Sequence, residues 1–147
     1  MKSFFAALII LITSLTIVSC TQQNESKEMQ EEVKDGVFIH ISHGTDDPHR
    51  MLMGLTMAER MRADKEVIIY IDITGIDMVL KDSPDLSLEP FTSSKTLIQN
   101  LLNEGITIMA CPTCLMAAGK TPEDLADGIS LADKDKFFNF TKGRIFT

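Results

Sequence analysis

The sequence predicts an α/β domain in which a mainly parallel sheet of about five strands lies between two layers of helices, an α/β/α arrangement. Two observations lead to this prediction. Short apolar runs alternate with helical patterns along residues 36–147, and the first three runs are nearly continuous in apolar residues, as in strands covered on both faces. This stretch of about 110 residues also has a common size for one compact domain.

Each predicted strand is a short apolar run bounded by turn residues. The runs lie at 37–42, 67–72, 106–110, 128–132 and 143–147. Helical patterns occupy the stretches at about 48–63, 73–80, 93–103, 112–118, 122–126 and 133–140. Strand and helix therefore alternate in the order expected of a three-layer α/β domain.

Capping residues and glycines support these boundaries. Asp47-Pro48 and Thr121-Pro122 each place a capping side chain before a proline at the first helical position. Glycine commonly ends a helix, and Gly105, Gly119 and Gly128 follow helical runs.

The longest irregular connection runs from Lys81 to Thr92 and contains Pro84 and Pro90. Its composition is compatible with a lid and equally with a plain surface loop. Both interpretations stay open at the level of the sequence.

The first 20 residues carry a basic start, an apolar run and a cysteine. Lys2 precedes the apolar run from Phe4 to Val18, which is about 15 residues long, whereas a membrane span needs roughly 20. Ser19 and Cys20 follow. The segment resembles a bacterial lipoprotein signal with its lipobox, which implies cleavage before Cys20 and attachment of lipid, palmitate included, to that thiol. The alternative is an uncleaved anchor helix.

Either interpretation predicts a domain held at a membrane of the cell envelope, outside the cytoplasm. In a host with two membranes, this would be the outer membrane, with the protein facing the periplasm. The chain then divides into a signal peptide at 1–19, a lipidated cysteine with a polar, flexible tether at 20–35, and a folded domain at 36–147.

The charge of the chain argues against two classes of partner. The formal net charge is −7, and lysine and arginine do not cluster. Nucleic acids and anionic lipid surfaces both attract basic patches, so neither is an expected partner. Lipid, not charge, would hold the domain at the membrane.

Cys111-Pro112-Thr113-Cys114 stands where the third predicted strand ends and a short helix begins. Proline is favoured at the first helical position, so Cys111 falls on the predicted N-cap and Cys114 lies one turn further on the same side. The amides and partial positive charge of a helix N-terminus stabilise a thiolate at Cys111 more than at Cys114. This asymmetry distinguishes a nucleophile from a resolving thiol.

Two other interpretations of the cysteine pair remain open. A purely structural disulfide is one, although a bridge across two intervening residues closes too small a loop to constrain the unfolded chain much. Zinc binding is the other, and it would need histidines to complete the ligand set.

Ligand sites of parallel sheets lie beyond the carboxyl ends of the strands. Residues 42–47, residues 72–75 and Cys111 are predicted to emerge at that edge, so the thiol should face a polar crevice. His43 is the candidate base that would take the thiol proton or pair with the thiolate, and a solvated loop residue is the alternative. His40 lies in the middle of a strand and is expected to pack in the sheet.

No cofactor and no resident metal is predicted. Asp46, Asp47 and Asp72 stand near the same edge, but helix capping explains Asp47 without a cation. Glycine-rich phosphate-binding fingerprints are absent from the sequence. Packing in the core or at a partner interface explains the methionines of the first predicted helix better than copper(I) binding does. They are Met51, Met53, Met57 and Met61.

The segment from Cys111 to Gly128 reads CPTCLMAAGKTPEDLADG. It resembles the DsrE/DsrF-like family of small sulfur-relay proteins, and a looser likeness extends over most of residues 36–140. The resemblance implies an α/β/α fold, assembly into homo- or hetero-oligomers, and a persulfide on the cysteine that ends this strand. That cysteine corresponds to Cys111, and Cys114 is an extra thiol relative to single-cysteine members. Well-understood relatives pass sulfur to cytoplasmic partners, which a protein outside the cytoplasm would not meet.

The sequence supports three functional hypotheses. In the first, Cys111 attacks or accepts sulfane sulfur and Cys114 resolves the adduct, so that the protein is a sulfurtransferase or sulfur carrier. Its partners would be a small sulfur compound or a partner-protein thiol. In the second, the pair is a thioredoxin-like disulfide oxidoreductase. In the third, the pair is inert and the domain is a non-catalytic module that binds a ligand or a partner.

Overall fold

The computed structural model describes residues 35–142 of the 147-residue chain. The predicted signal peptide at 1–19, the predicted lipidation site Cys20, the tether through residue 34 and the predicted strand at 143–147 lie outside the described residues. Within residues 35–142, no helix is both long enough and apolar enough to cross a membrane.

Strands and helices alternate along the described residues. The strands are β1 (Gly36–Ile41), β2 (Glu66–Ile71), β3 (Thr107–Ala110) and β4 (Ser130–Leu131). The α-helices are α1 (Pro48–Met61), α2 (Ser94–Asn103), α3 (Pro112–Ala117) and α4 (Lys134–Thr141). The described part also contains 3₁₀ helices at Ile73–Val79 and Pro122–Asp124.

The 3₁₀ helices stand where the sequence predicts longer or more regular helices, at 73–80 and 122–126. Ile73 begins the first with a left-handed backbone, φ 47°, which lies outside the helical region of α-helices and 3₁₀ helices alike. The second is only three residues long. Short 3₁₀ segments are common connectors, so these differences leave the order of elements unchanged.

The described sheet has the strand order β1-β2-β3-β4, and every neighbouring pair is parallel. The predicted parallel α/β fold is therefore confirmed, with four described strands where about five were predicted. Because the strands all run the same way, the carboxyl ends of β1, β2 and β3 open at one edge. The loops 42–47 and 72–75 and Cys111 follow those ends.

One face of the sheet forms the main core. Successive side chains of a strand point to opposite faces of the sheet. Those on one face are covered by α1, which packs on β1 and β2. Helix α2 packs against α1. The fully buried side chains of this layer are Leu52, Leu55, Ile69, Ile71, Leu97, Leu101 and Ile108.

The opposite face of the sheet is only partly covered. Helix α4 covers part of it, because Phe137 packs edge-on against Phe38 with ring centroids 5.2 Å apart. A groove of about 480 Å³ remains between the sheet and α4, and we call it the aromatic groove. Its walls include Phe38, His40, Tyr70, Met109, Phe137 and Phe138.

The loops after β1 and β2 approach each other closely at two glycines. A Cβ on Gly44 would lie 2.7 Å from the carbonyl oxygen of Thr74 and 2.9 Å from Cγ of Met78. A Cβ on Gly75 would lie 3.0 Å from the carbonyl oxygen of Ile41. A larger residue would push the backbones apart, so both glycines are needed for the loops to meet at the strand ends.

Residues 81–92 are irregular and are tied to the start of α2. The Ser94 amide donates to the Leu86 carbonyl at 2.9 Å, and the Leu86 amide donates to the Ser94 hydroxyl at 2.9 Å. The Lys95 amide donates to Asp85 Oδ1 at 3.0 Å. These bonds hold the segment against the domain.

Candidate functional site

Cys111 is fixed at the junction of β3 and α3. It is the N-cap residue of α3, with φ −63° and ψ 119°, and Pro112 lies in the first helical turn. Its amide donates to the Ile71 carbonyl at 2.9 Å, and its carbonyl accepts from the Leu115 amide at 2.9 Å. Cys111 therefore occupies the N-cap position that the sequence predicts, and bonds to β2 and α3 hold it there.

The Cys111 sulfur is nearly buried and is surrounded by hydrogen-bond donors. The residue is 9% exposed, and its Sγ accepts the Cys114 amide at 3.4 Å. The Tyr70 hydroxyl and the Cys114 thiol also face this sulfur and act on its pKa. Burial acts to raise the pKa of Cys111, but the hydrogen bonds from Tyr70, from the Cys114 thiol and from the α3 amides outweigh it. The pKa of Cys111 is therefore lowered.

The Cys114 thiol is shifted in the opposite direction. Because it donates to the Cys111 sulfur, it holds its proton and the pKa of Cys114 is raised. The Ile73 amide faces the Cys114 sulfur and acts to lower the pKa, while burial and the negative charges of Cys111 and Asp72 act to raise it. Both described cysteines are free thiols. Of the two thiols, Cys111 is therefore the one that ionises more readily.

Tyr70 contributes the hydroxyl that faces Cys111. Burial, followed by the hydrogen bond with Cys111, raises the pKa of Tyr70 well above its usual value. The phenol therefore stays protonated when Cys111 is a thiolate. Its ring lies 6.1 Å from the Phe38 ring and 5.6 Å from the His40 ring, so packing against β1 fixes its position.

Asp72 follows β2, and only one of its two carboxylate oxygens has a hydrogen-bond partner among the described residues. Its Oδ2 lies 2.9 Å from His40 Nε2, whereas its Oδ1 is buried without a hydrogen-bond partner among the described residues. The Asp72 side chain is 16% exposed and the His40 side chain is 50% exposed. Buried polar atoms nearly always find a partner, so the unpaired oxygen is unusual. Asp72 thus offers an acceptor beside the cysteine pair, and His40 connects it to the surface.

Ile73 has a strained backbone at the same place. Its φ of 47° lies in the left-handed region, where a β-branched residue costs on the order of 1–3 kcal/mol. In this conformation its amide faces the Cys114 sulfur. The Ile73 side chain is 62% exposed, so side-chain burial does not explain the conformation. The strained backbone of Ile73 therefore lies beside the cysteine pair.

His43, the base predicted from the sequence, lies at the same edge of the sheet in a separate cluster. Its Nδ1 is 2.7 Å from Asp46 Oδ2, and its Nε2 is 3.0 Å from Arg50 Nη1. A guanidinium only donates, so Nε2 accepts and the neutral ring carries its hydrogen on Nδ1. Across residues 35–142, no hydrogen bond or ion pair joins His43 to Cys111 or Cys114. Its role as a thiol base stays a prediction.

Asp46 is the centre of that separate cluster. Its carboxylate accepts from the Gly44 amide at 2.8 Å, from His43, and from the Thr74 hydroxyl at 2.8 Å. These bonds, the Gly44 amide foremost, hold the pKa of Asp46 well below its usual range. The cluster joins the loops after β1 and β2 and so supports the edge of the sheet where Cys111 stands.

The aspartates considered as cation ligands do not come together. Asp47 caps α1, Asp46 lies in the His43 cluster, and Asp72 pairs with His40. In the described part of the chain, no three His, Cys, Asp or Glu side chains gather as metal ligands. The methionines of α1 also differ in burial: Met51 is fully buried, whereas Met53 and Met57 are exposed.

Two solved structures share this fold. MTH1491 from Methanobacterium thermoautotrophicum, described as a protein of unknown function, matches with a TM-score of 0.60 and 18% identity over 78% of this chain and 98% of that chain. The ychN protein from E. coli matches with a TM-score of 0.60 and 12% identity over 75% of this chain and 94% of that chain. No protein-family model and no curated protein matches the chain.

These comparisons define the class of fold. Both structures have the DsrE-like fold, and this chain therefore has the DsrE-like α/β fold that the resemblance implies. At such low sequence identity the likeness concerns the fold alone.

Tyr70 is not among the site residues predicted from the sequence, and His40 is predicted only to pack in the sheet. A usable signal was present in the side-chain alternation of the strands. Tyr70 pairs in register with Met109, two residues before Cys111, and Asp72 has the same parity as Tyr70. Alternation alone would have placed Tyr70, Asp72 and Cys111 on one face.

Replacing Tyr70 with Phe removes one donor to the Cys111 sulfur and keeps the ring. We expect the pKa of Cys111 to rise, because the thiolate loses a hydrogen bond, and the midpoint pH of its alkylation to increase by about one pH unit. The measurement is the rate of iodoacetamide modification at Cys111 against pH, read by peptide mass spectrometry. Met116→Leu, an exposed change on α3, is the control. An unchanged midpoint in Tyr70→Phe would contradict the assigned hydrogen bond.

Proposed function

We propose that this protein handles sulfane sulfur by persulfide or thiol–disulfide exchange, with Cys111 as the nucleophile and Cys114 as the resolving thiol. The position of Cys111 is the observation that carries the proposal: its sulfur caps α3 and accepts the Cys114 amide at 3.4 Å. In this arrangement the pKa of Cys111 is lowered and the pKa of Cys114 is raised. Thiolate is the reactive form of cysteine. The pair therefore contains one member suited to attack and one that keeps its proton until a later step.

The first step is attack by the Cys111 thiolate on the outer sulfur of a persulfide donor, R–S–SH. A bond forms between the Cys111 sulfur and that outer sulfur, and the S–S bond of the donor breaks. Cys111 becomes a persulfide, and R–S⁻ leaves as a thiolate. The Tyr70 hydroxyl stays protonated and can keep donating to the Cys111 sulfur.

The second step has two possible acceptors. If a partner thiolate takes the outer sulfur, the Cys111 thiolate is regenerated and sulfur has been transferred. If Cys114 attacks the Cys111 sulfur, a disulfide forms between the two cysteines and the outer sulfur leaves as hydrosulfide. The second route needs a dithiol reductant to restore the pair.

Two features support a place among the sulfur-relay proteins of the DsrE/DsrF-like family. The chain has the DsrE-like fold, and the segment from Cys111 to Gly128 resembles that family. The cysteine at the end of this strand is the one that the resemblance identifies as the persulfide carrier.

The hydrogen bond between the two thiols also favours a second candidate function, a thioredoxin-like disulfide oxidoreductase. In that case the pair would exchange a disulfide with a partner protein and would not carry extra sulfur. The two functions differ in what remains on Cys111 after reaction.

Single substitutions of the cysteines separate these functions. After treatment with thiosulfate, polysulfide or a persulfide, Cys111→Ser is expected to gain no sulfur, because the nucleophile is missing. Cys114→Ser is expected to retain one extra sulfur atom, because nothing resolves the adduct. The measurement is the intact mass of the full chain carrying Cys20→Ser, so that only the pair can react. An equal gain of sulfur in Cys111→Ser would refute the proposal, and loss of two hydrogens alone would favour the oxidoreductase.

We further propose that the domain is held in the cell envelope by a lipid on Cys20. The support is the sequence pattern of the first 20 residues, which lie outside the described residues. Labelling cells with radioactive palmitate should label the parent chain and Cys114→Ser but not Cys20→Ser. Label that persists in Cys20→Ser, or that never enters the parent chain, would contradict the anchor.

A further inference from the structure

We propose that Asp72 accepts the proton of Cys114 when Cys114 resolves an adduct on Cys111, and that His40 passes this proton to solvent. The proposal rests on the proposed function, since it concerns the proton that thiol–disulfide exchange at this pair must release. The path runs from Cys114 to Asp72, then to His40, and then to the surface.

Cys114 needs a proton acceptor inside the site. A thiol attacks a disulfide as its thiolate, so Cys114 must lose its proton before or during the resolving step. The main cause of the raised pKa of Cys114, its hydrogen bond to the Cys111 thiolate, is lost in the adduct, but burial and the charge of Asp72 still act to raise that pKa. Since an ordinary thiol has a pKa of about 8.5, Cys114 then stays mostly protonated at neutral pH. Because the residue is half-buried, water has limited access to this proton.

The backbone places Asp72 beside that thiol. Asp72 and Cys111 directly follow the paired residues Ile71 and Ala110, so strand register places them side by side on one face of the sheet. Cys114, whose amide donates to the Cys111 sulfur at 3.4 Å, lies next to them. Helix α3 also packs against the 3₁₀ helix that Ile73 begins. The negative charge of Asp72 acts on both Cys114 and Tyr70, which agrees with this placement.

The carboxylate of Asp72 has an open acceptor. Oδ2 is held by His40 at 2.9 Å, but Oδ1 is buried and has no hydrogen-bond partner in the described part of the chain. Although Asp72 precedes the 3₁₀ helix at Ile73–Val79, its side chain makes no capping bond to the described backbone there. A purely structural carboxylate would be expected to satisfy both oxygens. An unpaired oxygen on the residue that strand register places beside Cys111 is instead available to receive a proton.

His40 provides the exit for the proton. Its side chain is half exposed and lines the aromatic groove, and histidine exchanges protons with water near neutral pH. The titratable groups that face Asp72 are His40 from β1, Tyr70 from β2, and the two thiols at α3. Tyr70 keeps its own proton, so His40 is the group that can relay one.

The resolving step balances with Asp72 as the base. The Cys114 sulfur attacks the Cys111 sulfur of a mixed disulfide, Cys111–S–S–R, and the bond to the sulfur of R breaks. R–S⁻ leaves, a disulfide joins Cys111 and Cys114, and the Cys114 proton moves to the Asp72 carboxylate. The two cysteines are oxidised and the leaving sulfur is reduced. The co-reactant is the small disulfide that formed the adduct.

A proton acceptor and a simple negative charge predict opposite effects of removing Asp72. The charge of Asp72 helps to raise the pKa of Cys114, so its loss alone would produce more Cys114 thiolate and faster resolution. Loss of the proton acceptor would make resolution slower. The sign of the change in rate therefore distinguishes the two roles.

The test follows resolution of the Cys111 adduct in the full chain carrying Cys20→Ser. The probe is dithiobis(nitrobenzoate), an aromatic disulfide that releases a coloured thiolate when it loads Cys111 and a second one when Cys114 resolves the adduct. Mixing with excess probe at about pH 7 gives two phases in stopped-flow absorbance: loading, whose rate rises with probe concentration, and resolution, whose rate does not because it is intramolecular. Asp72→Asn is expected to slow the second release by at least about tenfold, since a positioned base contributes at least that much. Asp77→Asn, at an exposed position in the same 3₁₀ helix, is expected to leave it unchanged.

The pH dependence of the parent chain gives a second readout that does not depend on how a variant folds. Between about pH 7 and pH 8, the rate of resolution is expected to stay nearly level in the parent, because the proton moves within the site and the reaction does not depend on prior ionisation of Cys114 in water. In Asp72→Asn the rate is expected to rise about tenfold per pH unit, because Cys114 must then ionise in water. Resolution in Asp72→Asn as fast as the parent or faster, or a tenfold rise per pH unit in the parent, would overturn the proposal. If the first release does not require Cys111, the proposed function itself is overturned.

Discussion

The hydrogen-bond donors that face Cys111 at the N-cap of α3 determine how the two thiols differ. Burial by itself would keep both thiols neutral. The Cys111 sulfur instead occupies the N-cap position of α3, where a side-chain oxygen is more usual. It accepts the Cys114 amide and faces the Tyr70 hydroxyl and the Cys114 thiol. Hydrogen bonds are stronger when the acceptor is ionised, so these donors favour the thiolate at Cys111 and hold the proton on Cys114. The distinction between nucleophile and resolving thiol follows from this arrangement.

The parallel sheet supplies the geometry for that arrangement. The Cys111 amide bonds to the Ile71 carbonyl, and the Asp72 amide bonds to the Ile41 carbonyl, so the first residue after each strand is held in register. Side-chain alternation then places Tyr70, Asp72 and Cys111 on the face away from α1. Because α4 covers this face only in part, the cysteine pair lies near the aromatic groove. Fold and site are therefore linked by strand register.

Local sequence signals predict the features that depend on local structure. Apolar runs predict the strands, and Pro112 predicts that Cys111 caps a helix, because proline at the first helical position is a property of neighbouring residues. The groups around the thiols depend on contacts between distant strands. His43 has the side chain expected of a base, yet Asp46 and Arg50 bind both of its ring nitrogens. No periodicity or spacing predicts that pairing, and the same holds for the unpaired oxygen of Asp72.

The central claim is that Cys111 ionises at a lower pH than Cys114. The most direct measurement is an NMR titration of the full chain carrying Cys20→Ser, isotope-labelled at the cysteine Cβ carbons, whose chemical shifts change when each thiol ionises. We expect the midpoint of Cys111 to lie below the ordinary thiol value of about 8.5 and that of Cys114 to lie above it. Equal midpoints, or a Cys111 midpoint at or above the ordinary value, would contradict the claim.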